Sequence, residues 1–163
     1  MSKIINTIKL NKKIAYLQKL KLLNKESGLI FYSLDNILND FIGHKLFTIL
    51  KFDKINSNLE RVYTSKPREY PLQGKKDVIR NFWQVQVLEK GIAYIGYNFQ
   101  DIKTSFSDFD LIKKFGCSSV LIIPVKSGKN IKGSVNLLHE ESWYSNNHVK
   151  IAQSLVSVIS EAL

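Results

Sequence analysis

The chain has 163 residues, 44% of them hydrophobic, including nine Phe and seven Tyr. This is enough for one domain with a packed core, too little for two ordinary domains, and unlike a disordered chain. No apolar run approaches the roughly 20 residues that cross a bilayer, and the single cysteine, Cys117, cannot form an internal disulfide. These features predict a cytoplasmic protein without a secretory signal.

The net charge of +10 is concentrated at the N-terminus. Seven of the 24 Lys and Arg residues, all of them Lys, lie in residues 1–25, which hold no acidic residue. Only three residues of the whole chain are Arg, the type that most often reads base edges. We therefore interpret most of the charge as solvated Lys. Contact of residues 1–25 with nucleic acid or a membrane surface is the weaker hypothesis.

Helical periodicity dominates the start of the chain. Residues 1–25 are predicted to form a basic amphipathic helix with one apolar stripe. A second helix is predicted from Glu26 to Gly43, since glycine tolerates the left-handed backbone that often ends a helix. Two runs of β-branched and aromatic residues, 46–52 and 59–65, flank a polar turn and predict a β-hairpin.

The middle of the chain is less regular. Its Pro and Gly residues predict a long loop over 67–74. Asp77 is then predicted to cap a short helix that ends at Gly91, and a strand follows over 92–97. A capping-type pattern, Ser followed three residues later by Asp, predicts a further helix over 107–116.

A second hairpin is the most informative part of the sequence. Two strand-forming runs, Gly116–Val125 and Ile131–Leu138, flank a short Ser-Gly-Lys-Asn turn. A small residue and serines, an apolar run into Pro124, a turn, and then Gly-Ser-Val-Asn-Leu form a pattern that resembles the last hairpin of GAF domains. An amphipathic helix is predicted to follow from Asn147 to the C-terminus.

The resemblance implies an α+β fold of the GAF/PAS-like (profilin-like) type. Such a fold has a mainly antiparallel central sheet of five to six strands, with the terminal helices packed on one face and a ligand cavity on the other. Hairpin-linked strands agree with an antiparallel sheet. We expect residues 26–163 to form a single GAF-like domain that follows the basic helix of residues 1–25.

The sequence offers little for catalysis. Cys117 follows a predicted helix C-terminus, where the helix dipole disfavours a thiolate. One GAF branch reduces free methionine sulfoxide with several cysteines, and this chain has one. The three His residues are scattered without metal-ligand spacing. We predict no catalytic residue and no metal site, and the sequence leaves any cofactor unknown.

Side-chain alternation and the resemblance together predict a ligand cavity. In the last strand Ser134 and Asn136 share one face, while Val135 and Leu137 face the helices. In the second strand the same alternation groups Arg61 with Tyr63, and a buried Arg favours an anionic ligand. The predicted ligand-binding residues are Arg61, Tyr63, Tyr70, Trp83, Phe106, Ser118, Ser134 and Asn136.

These features predict a non-catalytic small-molecule sensor or regulator of unknown ligand. One alternative is a dimerisation or interaction module without a ligand, and another is an enzyme resembling the methionine-sulfoxide reductases. We also expect a homodimer through the terminal helices, because their apolar faces are wide. The residues expected at that interface are Leu10, Ile14, Leu17, Val149, Ala152, Leu155, Val156, Ile159, Ala162 and Leu163.

Overall fold

The structure is a computed structural model that describes the backbone of residues 2–163 and the side chains of residues 6–163. The strands are β1 Leu46–Asp53, β2 Asn58–Thr64, β3 Gln73–Asp77, β4 Tyr94–Gly96, β5 Ser119–Ser127 and β6 Asn130–His139. These six strands form one antiparallel sheet, which confirms the predicted sheet type, and their order in it is β3-β2-β1-β6-β5-β4. The helices are α1 Ser2–Leu22, α2 Ser27–Phe41, α3 Phe82–Gln84, α4 Phe99–Ser105, α5 Phe109–Lys114 and α6 Asn146–Val156.

The helices α1, α2 and α6 contact one another and cover one face of the sheet. Large apolar side chains of β1, β5 and β6 point toward them, among them Phe47, Leu121 and Leu137, none of which is exposed. We call this cluster the helix-side core. Residues of opposite parity on the same strands, such as Leu46 and Leu138, belong to a second core. The predicted arrangement of terminal helices on one face is confirmed.

The second face is covered by shorter elements. α3 continues directly into a π-helix over Val85–Glu89, and α4 and α5 follow after β4. Their buried side chains include Trp83, Val87, Ile102 and Ile112, which pack in the second core. Between this layer and the sheet lies the cavity described below.

Several predicted bounds in this region are wrong. Asp77 ends β3 and caps no helix; Asn81 is the N-cap of α3, and its side chain accepts a hydrogen bond from Gln84 N. The sequence also gave no sign of β3, since its residues Gln-Gly-Lys-Lys-Asp have low strand propensity and pair only because β2 offers a free edge. α4 was also missed. The N-cap of α5 is Asp108, whereas the sequence pattern placed the cap one residue earlier, at Ser107.

The terminal helices use much of their apolar surface inside the chain. Leu17 of α1 is fully buried and Leu20 nearly so, both in the helix-side core. The same holds for Ala152, Leu155 and Ile159 of the C-terminal segment. We expected the apolar faces of the terminal helices to be wider than one chain can bury. For these residues that expectation is wrong, because they are buried in the core of the chain itself. Lys3 of the basic segment lies outside the described side chains.

No helix among residues 2–163 has the length and apolar character needed to cross a membrane.

Candidate ligand-binding site

A cavity of about 260 Å³ lies between the sheet and the layer of short helices. β1, β2 and β6 line one side of it, and α3 and residues 105–108 line the other. Its apolar lining consists of Leu50, Leu59, Ile79, Trp83, Phe106, Ile112 and Leu138. Its polar and charged lining consists of Thr48, Arg61, Tyr70, Gln73, Lys76, Asp77, Asn81, Gln84, Ser105, Ser107, Asp108 and Asn136. Mainly apolar walls with a few placed polar groups are typical of small-molecule sites.

Arg61 is the most buried charged group of this lining. Its side chain is only 7% exposed, and its Nη1 donates a hydrogen bond to the carbonyl oxygen of Pro71 at 2.8 Å. Nη2 lies 3.6 Å from Asp108 Oδ2, too far for a hydrogen bond. Among the described side chains, Arg61 Nε is the buried polar atom that has no hydrogen-bond partner. A buried donor without a partner lowers the free energy of unfolding by about 1–3 kcal/mol. A bound molecule that accepts a hydrogen bond from Nε would remove this cost.

Tyr70 joins Arg61 to Asp108. The Arg61 guanidinium carbon lies 3.6 Å from the centre of the Tyr70 ring, and the Tyr70 hydroxyl donates to Asp108 Oδ2 at 2.6 Å. Burial, followed by the negative charge of Asp108, raises the pKa of Tyr70, although Arg61 opposes the shift. The phenol therefore stays protonated and acts as the donor to Asp108.

Two amide side chains of the lining use their carbonyl oxygens for hydrogen bonds within the protein. Gln84 Oε1 accepts hydrogen bonds from the backbone N–H groups of Ile79 at 3.1 Å and Asn81 at 3.3 Å. Asn136 Oδ1 accepts from the Ser134 hydroxyl at 2.9 Å. Both carbonyl ends are thus occupied, and their NH₂ groups donate no hydrogen bond to any side chain or backbone group that the structure describes.

The far wall is held by one backbone carbonyl. Ser105 O accepts from Trp83 Nε1 at 3.0 Å and from Asn81 Nδ2 at 3.1 Å. The rings of Trp83 and Phe106 lie 6.0 Å apart. These contacts hold residues 105 and 106 against α3, which positions the aromatic part of the lining.

Five of the predicted site residues come together in this lining: Arg61, Tyr70, Trp83, Phe106 and Asn136. Ser134 lies on the predicted face, buried beneath Asn136, and reaches the cavity only through its hydrogen bond. Ser118 is elsewhere, before β5, where its N–H donates to His139 O. Whether any of these residues binds a ligand stays a prediction.

Tyr63 lies on the opposite face of the sheet, and its pairing with Arg61 was wrong. Ile49 pairs with Tyr63 whereas the next residue, Leu50, pairs with Arg61. Val62 is therefore an extra residue, a β-bulge that reverses the alternation. The Tyr63 hydroxyl donates to Asp35 Oδ2 at 2.7 Å, and the ring packs against Phe47 of the helix-side core.

Sequence reasoning missed several polar members of the lining, among them Thr48, Asn81, Gln84 and Asp108. Asn81 and Gln84 have the spacing of a capping box, a signal that could have placed Gln84 at a helix start. Thr48 directly pairs with Asn136 across β1 and β6, which only the register reveals. Asp108 stands at the N-cap position of α5, but its side chain forms no capping hydrogen bond and instead accepts one from the Tyr70 hydroxyl.

The described residues offer no alternative catalytic centre of the kinds considered above. Cys117 is fully buried, and burial raises the pKa of its thiol to about 11. No group of three or more His, Cys, Asp or Glu side chains able to hold a metal ion occurs in the described part of the chain.

Comparison with solved structures identifies the fold. The chain is similar to the GAF domain of a two-component sensor histidine kinase from Bacillus halodurans, with 11% identity, coverage of 81% of this chain and 89% of that one, and a TM-score of 0.66. It is also similar to a GAF domain/HD domain protein from Geobacter sulfurreducens. The identity is 12%, the match covers 84% of this chain and 91% of that one, and the TM-score is 0.68. A third similar structure is the GAF domain of an Acinetobacter phosphoenolpyruvate-protein phosphotransferase. The identity is 11%, the match covers 93% of this chain and 90% of that one, and the TM-score is 0.70.

The fold is therefore GAF-like, as the last hairpin predicted. At these identities the likeness shows the fold alone. No protein-family model and no curated protein matches the sequence.

Proposed function

We propose that this chain is a sensory or regulatory domain that binds a small molecule in the cavity and performs no catalysis. The observation that carries the proposal is the buried guanidinium of Arg61, whose Nε has no partner among the described residues although the side chain lines a cavity. Buried polar groups are normally satisfied, so an unpaired donor in a cavity lining is a candidate contact for a bound molecule or water. The similar GAF domain of a sensor histidine kinase adds an analogy of fold.

The chemistry of Cys117 supports a binding role over a thiol enzyme. A thiol with a pKa of about 11 is almost entirely protonated near neutral pH, and the thiolate is the nucleophile. We expect alkylation of the native protein by iodoacetamide at pH 8 to be roughly 100-fold slower than that of the unfolded chain, from the thiolate fractions. Reduction of free methionine sulfoxide that is lost in Cys117→Ser would support the enzymatic alternative.

Native mass spectrometry and thermal shift test the binding role. We expect freshly purified protein to retain a small molecule, or a metabolite library to include one that raises the melting temperature. A ligand at 100 times its dissociation constant adds about 2.7 kcal/mol to the free energy of unfolding.

Leu50→Phe adds bulk to the cavity lining and should remove the ligand-induced shift. Leu72→Phe is the matched control, since Leu72 is 60% exposed and lies outside the lining. Absence of any retained or library ligand would contradict the proposal, as would equal shifts in both variants.

We also propose that copies of the chain associate through the helical layer. On the outer side of α2, Leu29 and Tyr32 are 43% and 59% exposed, and exposed apolar side chains on one helix favour an interface. We expect a dimeric mass at micromolar concentration that Tyr32→Glu converts to monomer. Tyr97→Glu, at a side chain 49% exposed beside β4, is the control. A monomeric mass for the unmodified chain would contradict this proposal.

A further inference from the structure

Arg61 has one unused edge. A guanidinium presents its N–H groups in a planar fork that matches the two oxygens of a carboxylate. Nη1 is occupied by Pro71 O at 2.8 Å. The other edge, formed by Nε and Nη2, has no partner at Nε and only the 3.6 Å contact of Nη2 with Asp108.

We propose that the ligand is a small carboxylic acid whose carboxylate binds the Nε–Nη2 edge of Arg61. This inference rests on the proposed function and names the chemical class of its ligand. A bidentate carboxylate satisfies the orphaned Nε and replaces the long contact at Nη2 with a hydrogen bond. A neutral amide offers one acceptor oxygen to this edge and adds no negative charge beside Arg61, whose nearest carboxylate is then still Asp108 at 3.6 Å.

The remaining polar lining also selects acceptors. The carbonyl oxygens of Gln84 and Asn136 are occupied by protein donors, at 3.1 Å from Ile79 N and 2.9 Å from Ser134 Oγ. Their NH₂ groups and the Thr48 hydroxyl are left to donate to an occupant. A ligand that carries a carboxylate together with further carbonyl, hydroxyl or carboxylate oxygens satisfies this set.

The size and walls of the cavity limit the rest of the molecule. About 260 Å³ is below the roughly 300–1,000 Å³ of sites for drug-sized ligands. Trp83 and Phe106 supply an aromatic wall whose rings are 6.0 Å apart. The acid is therefore small, and its apolar part packs against this wall.

Asp108 competes with the ligand for Arg61. Its Oδ2 lies 3.6 Å from Nη2 and accepts the Tyr70 hydroxyl at 2.6 Å. A bound carboxylate takes over the neutralisation of Arg61, so the negative charge of Asp108 opposes binding of the acid. The Tyr70 hydroxyl donates a hydrogen bond to Asp108, and this bond weakens the competition of Asp108 with the ligand for Arg61.

The experiment titrates the full chain by calorimetry with a panel of small carboxylates, from acetate and benzoate to hydroxy acids, oxo acids and dicarboxylates, each paired with its primary amide. We expect at least one carboxylate to bind, at least tenfold more tightly than its amide. Arg61→Lys keeps the charge but loses the fork, so it should weaken the carboxylate at least tenfold and leave the amide unchanged. Arg80→Lys is the control, because Arg80 pairs with Glu89 on the surface.

Asp108→Asn separates the proposal from a purely structural role. Removing the competing charge should strengthen carboxylate binding several-fold, whereas a structural loss would weaken acid and amide alike. Tyr70→Phe keeps the ring under Arg61 and should act in the opposite direction, weakening the acid.

The inference is overturned if no carboxylate binds, if amides bind equally well, or if Arg61→Lys changes neither. A neutral molecule retained by the purified protein would also overturn it while leaving the proposed binding function intact. Different results would therefore contradict the carboxylate ligand and the proposed binding function.

Discussion

The two faces of the central sheet come from the same strands and have opposite characters. Toward α1, α2 and α6, residues such as Phe47 and Leu137 are fully buried among other apolar side chains. On the other face, Thr48 and Asn136 are buried to a similar degree but line a cavity. The helix-side face is lined throughout by packed apolar side chains, whereas the other face combines the second core with polar groups whose hydrogen bonds are incomplete.

Adjacent leucines on β6 give the sharpest test of this difference. Leu137→Ala leaves a hole in the helix-side core and should lower the free energy of unfolding by about 2–5 kcal/mol. Leu138→Ala enlarges an existing cavity and should cost less, because fewer neighbouring atoms lose contacts. Urea unfolding of both variants measures the two losses. Equal losses would mean that the cavity is closed in solution.

Two tyrosines extend the comparison to polar groups. Tyr63 donates to Asp35 at 2.7 Å on the helix side, and Tyr70 donates to Asp108 at 2.6 Å on the cavity side. The Asp35 side chain is 11% exposed and that of Asp108 is 25%. Tyr63→Phe should therefore cost about 1.5–3 kcal/mol of unfolding free energy, and Tyr70→Phe about 1 kcal/mol. A larger loss from Tyr70→Phe in denaturant titrations would reverse this ranking.

The smallest expected effect lies at the end of β6 and depends on pH. Burial lowers the pKa of His139 below 6.5, and its Nδ1 accepts a hydrogen bond from Glu140 N at 2.7 Å. The unfolded chain takes up this proton at a higher pH than the folded chain, so stability is present above pH 6.5 and is lost as the pH falls. His139→Gln should show a shallower loss between pH 7.5 and 5.5. Parallel curves for the two proteins would rule out this contribution.

Local patterns determined much of the fold. The hairpin of β5 and β6 was predicted because strand-forming runs flank a turn, and the alternation along β6 correctly separated Val135 from Asn136. α2 ends where Gly43 adopts a positive φ of 92°, which a sequence can indicate because glycine carries no Cβ. The apolar stripes of the terminal helices correctly predicted that these helices cover one face of the sheet.

Long-range pairing decided what the sequence could not. Val62 is an ordinary strand residue, and only its pairing against β1 makes it the bulge that moves Tyr63 away from Arg61. β3 forms from residues without a strand pattern because β2 offers an edge. Leu17 fits a subunit interface equally well by periodicity, and only the packed chain buries it in its own core.

The candidate site combines both kinds of information. Arg61 and Asn136 could be proposed from residue type and alternation, since those are local properties. The placement of Asp108 and Gln84 around the same cavity brings together segments far apart in the chain. The sequence by itself determined which faces are apolar; the tertiary structure decided which polar groups meet and which donor is left unpaired, because those depend on distances between separate elements.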